Sequence, residues 1–202
     1  METELIIIRH GETDWNKQHK YQGQQDIDLN QRGYQQARQT GSYLASRKID
    51  ALYSSDLKRA YHTAQKINQY QELEIQCQKK LREMDFGTWE GLTYQEIKEK
   101  NPQLLAEWNR DPAKINPPRG ENLQIVQQRA KKCFQEIIAD NEGKKVLIVS
   151  HGGVIKVFLA TILNMDLKNY WQFNVDQTGI NIIKFYEGKA IIKQLNNRSH
   201  LE

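Results

Sequence analysis

Two histidines occupy matching surroundings. His10 follows Leu5-Ile6-Ile7-Ile8-Arg9 and precedes Gly11, and His151 follows Val146-Leu147-Ile148-Val149-Ser150 and precedes Gly152. Continuous apolar, β-branched runs bounded by polar residues are the pattern of strands buried on both faces. A parallel sheet delivers the residues that follow such strands to one edge, so the two imidazoles are expected side by side. Arg9 adds a planar guanidinium that binds phosphate oxygens without needing a metal, and Gly11 permits close backbone approach to a ligand. Together these residues predict an anion site. Arg59, at the start of a helix after a second strand, would add another guanidinium and the positive end of a helix dipole. Glu83 follows a third strand and would reach the same edge, where loss of water favours a protonated carboxyl able to donate a proton.

The elements that must position these residues are legible along the chain. Asn30 can cap a helix running to about Ser46, with Tyr34, Ala37, Gly41, Leu44 and Ala45 near one face, after a polar, glutamine-rich loop. Asp50 to Ser54 reads as the second strand, followed by Asp56 as the cap of a helix on which Ala60, Ala64 and Ile67 recur. Leu73, Ile75 and Cys77 alternate with polar residues, which predicts a half-buried strand. Thr93 with Glu96 forms a capping-box pattern, Pro102 can open the next helix, and Pro112 to Gly120 reads as a loop. A long helix is expected from Asn122 to about Asp140, another from Val154 to Leu163, and a closing hairpin over Gly179–Tyr186 and Lys189–Leu195. Strands alternating with helices predict an α/β fold, a three-layer α/β/α sandwich with a mostly parallel sheet and an antiparallel edge. One domain over 1–202 is expected, with a helical insertion at about 88–120 over the crevice.

Composition narrows the function classes. The 202 residues carry 29 basic and 25 acidic side chains, a net charge of +4, with the basic residues scattered and not gathered into a stripe. That distribution argues against nucleic acid and suits a small anionic partner. No apolar run approaches the roughly 20 residues of a membrane helix and the first residues lack a signal-peptide layout, so no membrane partner and a cytoplasmic location are expected. Cys77 and Cys133 are far apart, and both are expected to be reduced and buried as packing residues. The histidines have no carboxylate partner at a metal-motif spacing and no nucleotide-cradling glycine loop is present, so neither metal nor cofactor is expected.

Four separated blocks carry a resemblance. Arg9-His10-Gly11-Glu12-Thr13 with Trp15-Asn16, Gln22-Gly23 and Asp26 form the first, and Ser54-Ser55-Asp56-Leu57 with Arg59-Ala60 and Thr63-Ala64 the second. Leu81-Arg82-Glu83 with Phe86-Gly87 and Trp89-Glu90-Gly91 are the third, Ser150-His151-Gly152-Gly153 the last, and Gly120-Glu121-Asn122 precedes the long helix. In this order the blocks resemble the histidine phosphatase superfamily, its phosphoglycerate mutase-like branch. The resemblance implies that His10 attacks phosphorus and becomes a phosphohistidine, that Arg9, Arg59 and His151 hold the transferring oxygens, and that Glu83 protonates the leaving oxygen. It also implies phosphate contacts from Asn16, Gln22, Gly23 and Gly152. Asp28 and Asn30 depart from the usual pattern, where proline and threonine or serine are common.

The expected function is therefore a metal-independent phosphomonoesterase acting on small phosphorylated metabolites. Leu81 to Leu92 and Asn197 to Leu201 look like the α-ribazole phosphatase group, a likeness shared with phosphoserine-directed and broad-specificity relatives. A mutase-type isomerase is the alternative within the family, although mutases carry Arg-His-Tyr-Gly where Met84-Asp85-Phe86-Gly87 stands here. A non-catalytic phosphate-binding module is the alternative outside it, and the intact set of five catalytic positions argues against that. Trp108, Arg110 and Arg119 in the insertion are candidates to touch the rest of the substrate, and the closing hairpin could pair two copies into a homodimer.

Overall fold

The buried runs form the centre of a six-stranded sheet. The computed structural model describes residues 2–201. Strand β1 (Glu2–Arg9) leads through a short helix α1 (Asp14–Lys17) to α2 (Gln31–Leu44), β2 (Ala51–Ser54), α3 (Lys58–Asn68) and β3 (Ile75–Cys77). Then come α4 (Tyr94–Lys100), α5 (Pro102–Arg110), α6 (Leu123–Asp140), β4 (Lys145–Ser150), α7 (Gly152–Ile162), β5 (Ile180–Tyr186) and β6 (Lys189–Asn197). The strand order is β3-β2-β4-β1-β5-β6, with β3, β2, β4 and β1 parallel and the β5–β6 hairpin antiparallel to its neighbours.

Strands β1 and β4 are apolar throughout because both faces are covered. Leu5, Ile7, Val146 and Ile148 pack with residues of α6, α7 and the 88–120 segment, whereas Ile6, Ile8, Leu147 and Val149 pack with those of α2 and α3. Each such side chain taken from water contributes about 1.5–3 kcal/mol. This is the three-layer α/β/α architecture expected from the alternation of elements. The register pairs Arg9 with Ser150, which brings His10 and His151 to adjacent strand ends.

Local capping follows the sequence closely. Asn30 and Asn122 accept from Gly33 N and Ile125 N, Thr93 and Glu96 form the reciprocal capping box, and Pro102 opens α5. Three expectations are corrected. Asp56 does not cap α3: its carboxylate accepts from Arg82 Nε and Nη2 at 2.7 and 2.6 Å, while Asp26, from the loop between α1 and α2, accepts from Lys58 N at 2.7 Å. Cys77 is exposed, because β3 is a three-residue edge strand whose outer positions have no covering layer; Cys133 is buried as expected. The glutamine-rich loop contains α1, closed by a capping box between Thr13 and Asn16.

The 88–120 segment is helical, as α4 and α5, and is fixed beside the strand ends. Lys20 pairs with Thr93 as an isolated antiparallel bridge, and Trp89 and Trp108 pack edge-to-face at 5.7 Å with Tyr21 and Phe86 beside them. Trp108 is therefore a packing residue, and Arg110 and Arg119 are exposed. Among the described residues no helix is long and apolar enough to cross a membrane.

Candidate active site

A cavity of about 210 Å³ opens at the carboxyl ends of the central strands, lined by Arg9, His10, Asn16, Gln22, Gly23, Arg59 and Glu83 together with His19, Lys20, Tyr21 and Phe86. Seven of the nine residues expected at the site thus line one space. His151 and Gly152 stand just behind it. The His151 ring lies 5.2 Å from that of His10, and a Cβ added to Gly152 would come within 3.4 Å of Arg9 Nε.

His10 is 2% exposed, and its Nδ1 lies 2.7 Å from the Gly11 carbonyl oxygen. A carbonyl only accepts, so the neutral ring carries its proton on Nδ1 and keeps the lone pair on Nε2. The Gly11 N–H donates to Thr63 Oγ1 at 3.0 Å, and Thr63 donates to the Arg59 carbonyl, so the loop after β1 is tied to α3. His151 is wholly buried, with Nε2 2.8 Å from Ser55 Oγ.

The two guanidinium groups are aimed by backbone carbonyls and not by carboxylates. Arg9 Nη1 donates to Val175 O at 2.8 Å, and Arg59 donates from Nη1 to Gln25 O at 2.7 Å and from Nη2 to Gly23 O at 2.6 Å. Among the described residues neither guanidinium is in a salt bridge, although the Glu83 carboxyl lies near enough to favour both charges. Burial pushes Arg59 down to about 10, so it remains charged at neutral pH, and burial likewise lowers Arg9. Arg9 Nε, Arg59 Nε and His151 Nδ1 are buried without a hydrogen-bond partner among the described residues. Each such atom costs on the order of 1–3 kcal/mol unless a ligand satisfies it, so an entering anion is favoured.

Glu83 is held by two backbone donors, with Oε1 accepting from Met84 N at 2.9 Å and Oε2 from Gly153 N at 3.1 Å. A Cβ at position 153 would lie 2.5 Å from Glu83 Oε1, so a larger residue there would displace the carboxyl from this position. Behind Glu83, Arg129 donates to the carbonyls of Lys80, Arg82 and Glu83 at 2.9, 2.6 and 2.9 Å and pairs with Glu121. The sequence reading missed Arg129, although it lies on the buried stripe between Val126 and Cys133. It also missed the supports Ser55, Thr63 and Val175 and the lining residues His19, Lys20 and Tyr21, whose signal was their place between two matched motifs.

Burial, reinforced by Arg59 and then Arg9, holds His10 well below the ordinary imidazole value of 6.5; burial and Arg59 act likewise on His151. The unfolded chain binds these protons near pH 6.5 and the folded chain does not, so their contribution to stability is complete above that pH. It is lost as pH falls toward the depressed folded values. Ring-resonance titration should show both imidazoles neutral at pH 6.5, with the thermal midpoint declining below that point. A midpoint for either ring at or above 6.5 would contradict the assignment.

Comparison with known proteins agrees with this geometry. Residues 5–198 match the model of the histidine phosphatase superfamily, branch 1. The chain is 34% identical over 197 residues to phosphoserine phosphatase 1 of Hydrogenobacter thermophilus, covering 98% of this chain and 93% of that protein. It is 31% identical to the adenosylcobalamin/alpha-ribazole phosphatase of Salmonella typhimurium over 195 residues, 96% of each. The solved structure of Bacillus stearothermophilus YhfR superposes with a TM-score of 0.93 at 34% identity, covering 99% of this chain and 100% of that one. With the match running through every strand that carries the site, the chain belongs to the histidine phosphatase superfamily, branch 1, and is a phosphatase.

Proposed function

We propose that this phosphatase is a metal-independent phosphomonoesterase that passes the phosphoryl group of small esters through His10. The observation that carries the reading is the Nδ1-tied, neutral His10 ring on a cavity that also holds two guanidinium groups, neither in a salt bridge among the described residues. In this reading the Nε2 lone pair forms the P–N bond while the ester P–O bond breaks toward the leaving oxygen. Glu83, as the carboxylic acid, gives that oxygen its proton. Arg9, Arg59 and His151 bear the charge that spreads over the transferring oxygens. Ser55 Oγ accepts from Leu57 N at 3.4 Å, so its O–H is free to donate to His151 Nε2, which places the ring proton on Nδ1 to meet the phosphoryl group. Water then attacks phosphorus as the Glu83 carboxylate takes a proton, and the P–N electron pair returns to His10. Asn16, Gln22 and Gly23 complete the phosphate pocket, with Gly152 behind Arg9. The relatives' names make phosphoserine and α-ribazole 5'-phosphate the first substrates to assay.

Turnover of p-nitrophenyl phosphate should persist in excess chelator, and loss on chelation would reject the metal-free route. In phosphate-release assays, Glu83→Gln should lower kcat/KM, which reports the step that expels the leaving group, by about 10²–10⁴ for alkyl phosphates and far less for the aryl ester, whose leaving group needs no proton. Equal slowing of both would remove Glu83 from the acid role.

A further inference from the structure

The Arg9 guanidinium takes its direction from a turn 166 residues further along the chain. Nη1 donates to Val175 O at 2.8 Å, and Arg9 O accepts from Thr178 N at 3.0 Å, so residues 175–178 hold Arg9 through both side chain and main chain. The turn is strained. Thr178 is wholly buried in the left-handed region with φ of +54°, which a β-branched residue occupies only where its surroundings impose it.

Those surroundings come from β6. Asp176 N–H donates to Asn196 Oδ1 at 2.8 Å and Asn196 Nδ2 donates to Asp176 Oδ2 at 2.9 Å, so one carboxamide grips both the backbone and the side chain of the residue next to Val175. Asn196 is itself left-handed, with φ of +47°, and stands where the β5–β6 register slips: Ile182 pairs with Gln194, but Ile180 pairs with Asn197. The extra residue is a β-bulge, a device that re-aims a side chain, and here it turns Asn196 toward Asp176. Asn196 N–H donates to Oδ1 of the buried Asn181 at 3.0 Å, and Asn181 Nδ2 donates to Ile7 O at 3.1 Å, so the clamp is anchored on β1, the strand that carries Arg9. Arg198 Nη1, 3.3 Å from Asp176 Oδ2, closes its outer side. Gly179 leaves it room, since a Cβ there would collide with Asn196 Oδ1.

Resting on the reading that Arg9 grips the transferring phosphoryl group, we infer that Asn196 is a positioning residue for phosphoryl transfer: its carboxamide clamps the 175–178 turn and so fixes where the Arg9 guanidinium points. Asn196 does not line the cavity, so its effect on the reaction passes through the turn. The Val175 carbonyl holds Nη1, which directs the unpartnered Nε toward an entering anion. A shift of that carbonyl by about 1 Å would swing the planar fork off the phosphoryl oxygens, and misplacement on that scale costs a reaction up to about 10²-fold.

The test is a cycle of four full-length proteins: wild type, Asn196→Gly, Arg9→Lys and the double variant. Glycine accepts the left-handed φ at 196, so the bulge is kept while the carboxamide is removed. Arg9→Lys keeps a charge that binds anions but has no planar fork to aim. Vanadate, a stand-in for the transferring phosphoryl group, is titrated by calorimetry, which needs no turnover. Asn196→Gly should weaken vanadate binding about tenfold when Arg9 is present and by less than about threefold in the Arg9→Lys background. A merely structural role would weaken it by the same factor in both. Asp176→Ala removes one bond of the clamp from the loop side and leaves β6 untouched; it is read in the same cycle, and decides the matter if Asn196→Gly does not fold. A loss less than about threefold larger with Arg9 than with lysine would overturn the positioning role alone. Wild-type protein that releases no phosphate from p-nitrophenyl phosphate, or Arg9→Lys that binds vanadate as tightly as wild type, would instead overturn the reading on which the inference rests.

Discussion

His10→Ala is expected to leave a folded protein with turnover reduced by about 10⁴-fold or more and with no covalently phosphorylated form. In the proposed reading the imidazole is the group that meets phosphorus, and the other imidazole on the cavity, His19, is exposed and has no anchored tautomer to replace it. His151 gives its Nε2 lone pair to Ser55 and carries its proton on Nδ1, so it has no lone pair to offer phosphorus. The fold should survive, because the ring's one side-chain hydrogen bond is to the neighbouring Gly11 carbonyl, and the loop remains tied through Gly11 N to Thr63. Acid- and base-quenched samples taken during turnover check the prediction, since a phosphorus–nitrogen bond is acid-labile. Wild-type label with that signature, absent from the variant, is the expected pair of results. Label persisting in His10→Ala would move the nucleophile elsewhere.

Arg59→Lys should lower kcat by about 10²–10³ although the charge is kept. The wholly buried guanidinium spends Nη1 and Nη2 on the Gln25 and Gly23 carbonyls and still has Nε unpaired for a ligand. An ammonium on a flexible stem cannot reproduce that planar division. The carbonyls of residues 23 and 25 would lose a fixed donor, and the developing charge on the phosphoryl oxygens would lose a fixed partner. Steady-state rates and the affinity for vanadate measure the two losses. A decrease below tenfold with vanadate binding intact would reduce Arg59 to a brace for the 23–25 loop.

What was legible in the sequence is what short-range rules govern. The runs of Leu5–Ile8 and Val146–Val149 announced strands with two covered faces, and their register then fixed the neighbouring histidines. Asn30, Thr93, Pro102 and Asn122 announced helix starts because a cap reaches a donor only two or three residues away. Polar partners far apart in the chain leave no periodic trace. Asp56 looked like a cap because it precedes a helix, yet its partner is Arg82, 26 residues on, and the helix start takes its acceptor from Asp26, 32 residues back. Cys77 followed an alternating pattern but lies on an edge strand, where alternation no longer guarantees cover. The braces Arg129, Ser55 and Val175 are visible once the chain is folded.

The bond from Arg9 to Val175 spans 166 residues, and Arg9 O accepts from Thr178 N as well. During synthesis the proposed nucleophile emerges from the ribosome long before the carbonyl that aims its neighbouring guanidinium, which lies 166 residues further along. A nascent polypeptide halted before that point holds the proposed catalytic residues without their cradle, so competence waits for the carbonyl at 175 and is gained nearly all at once.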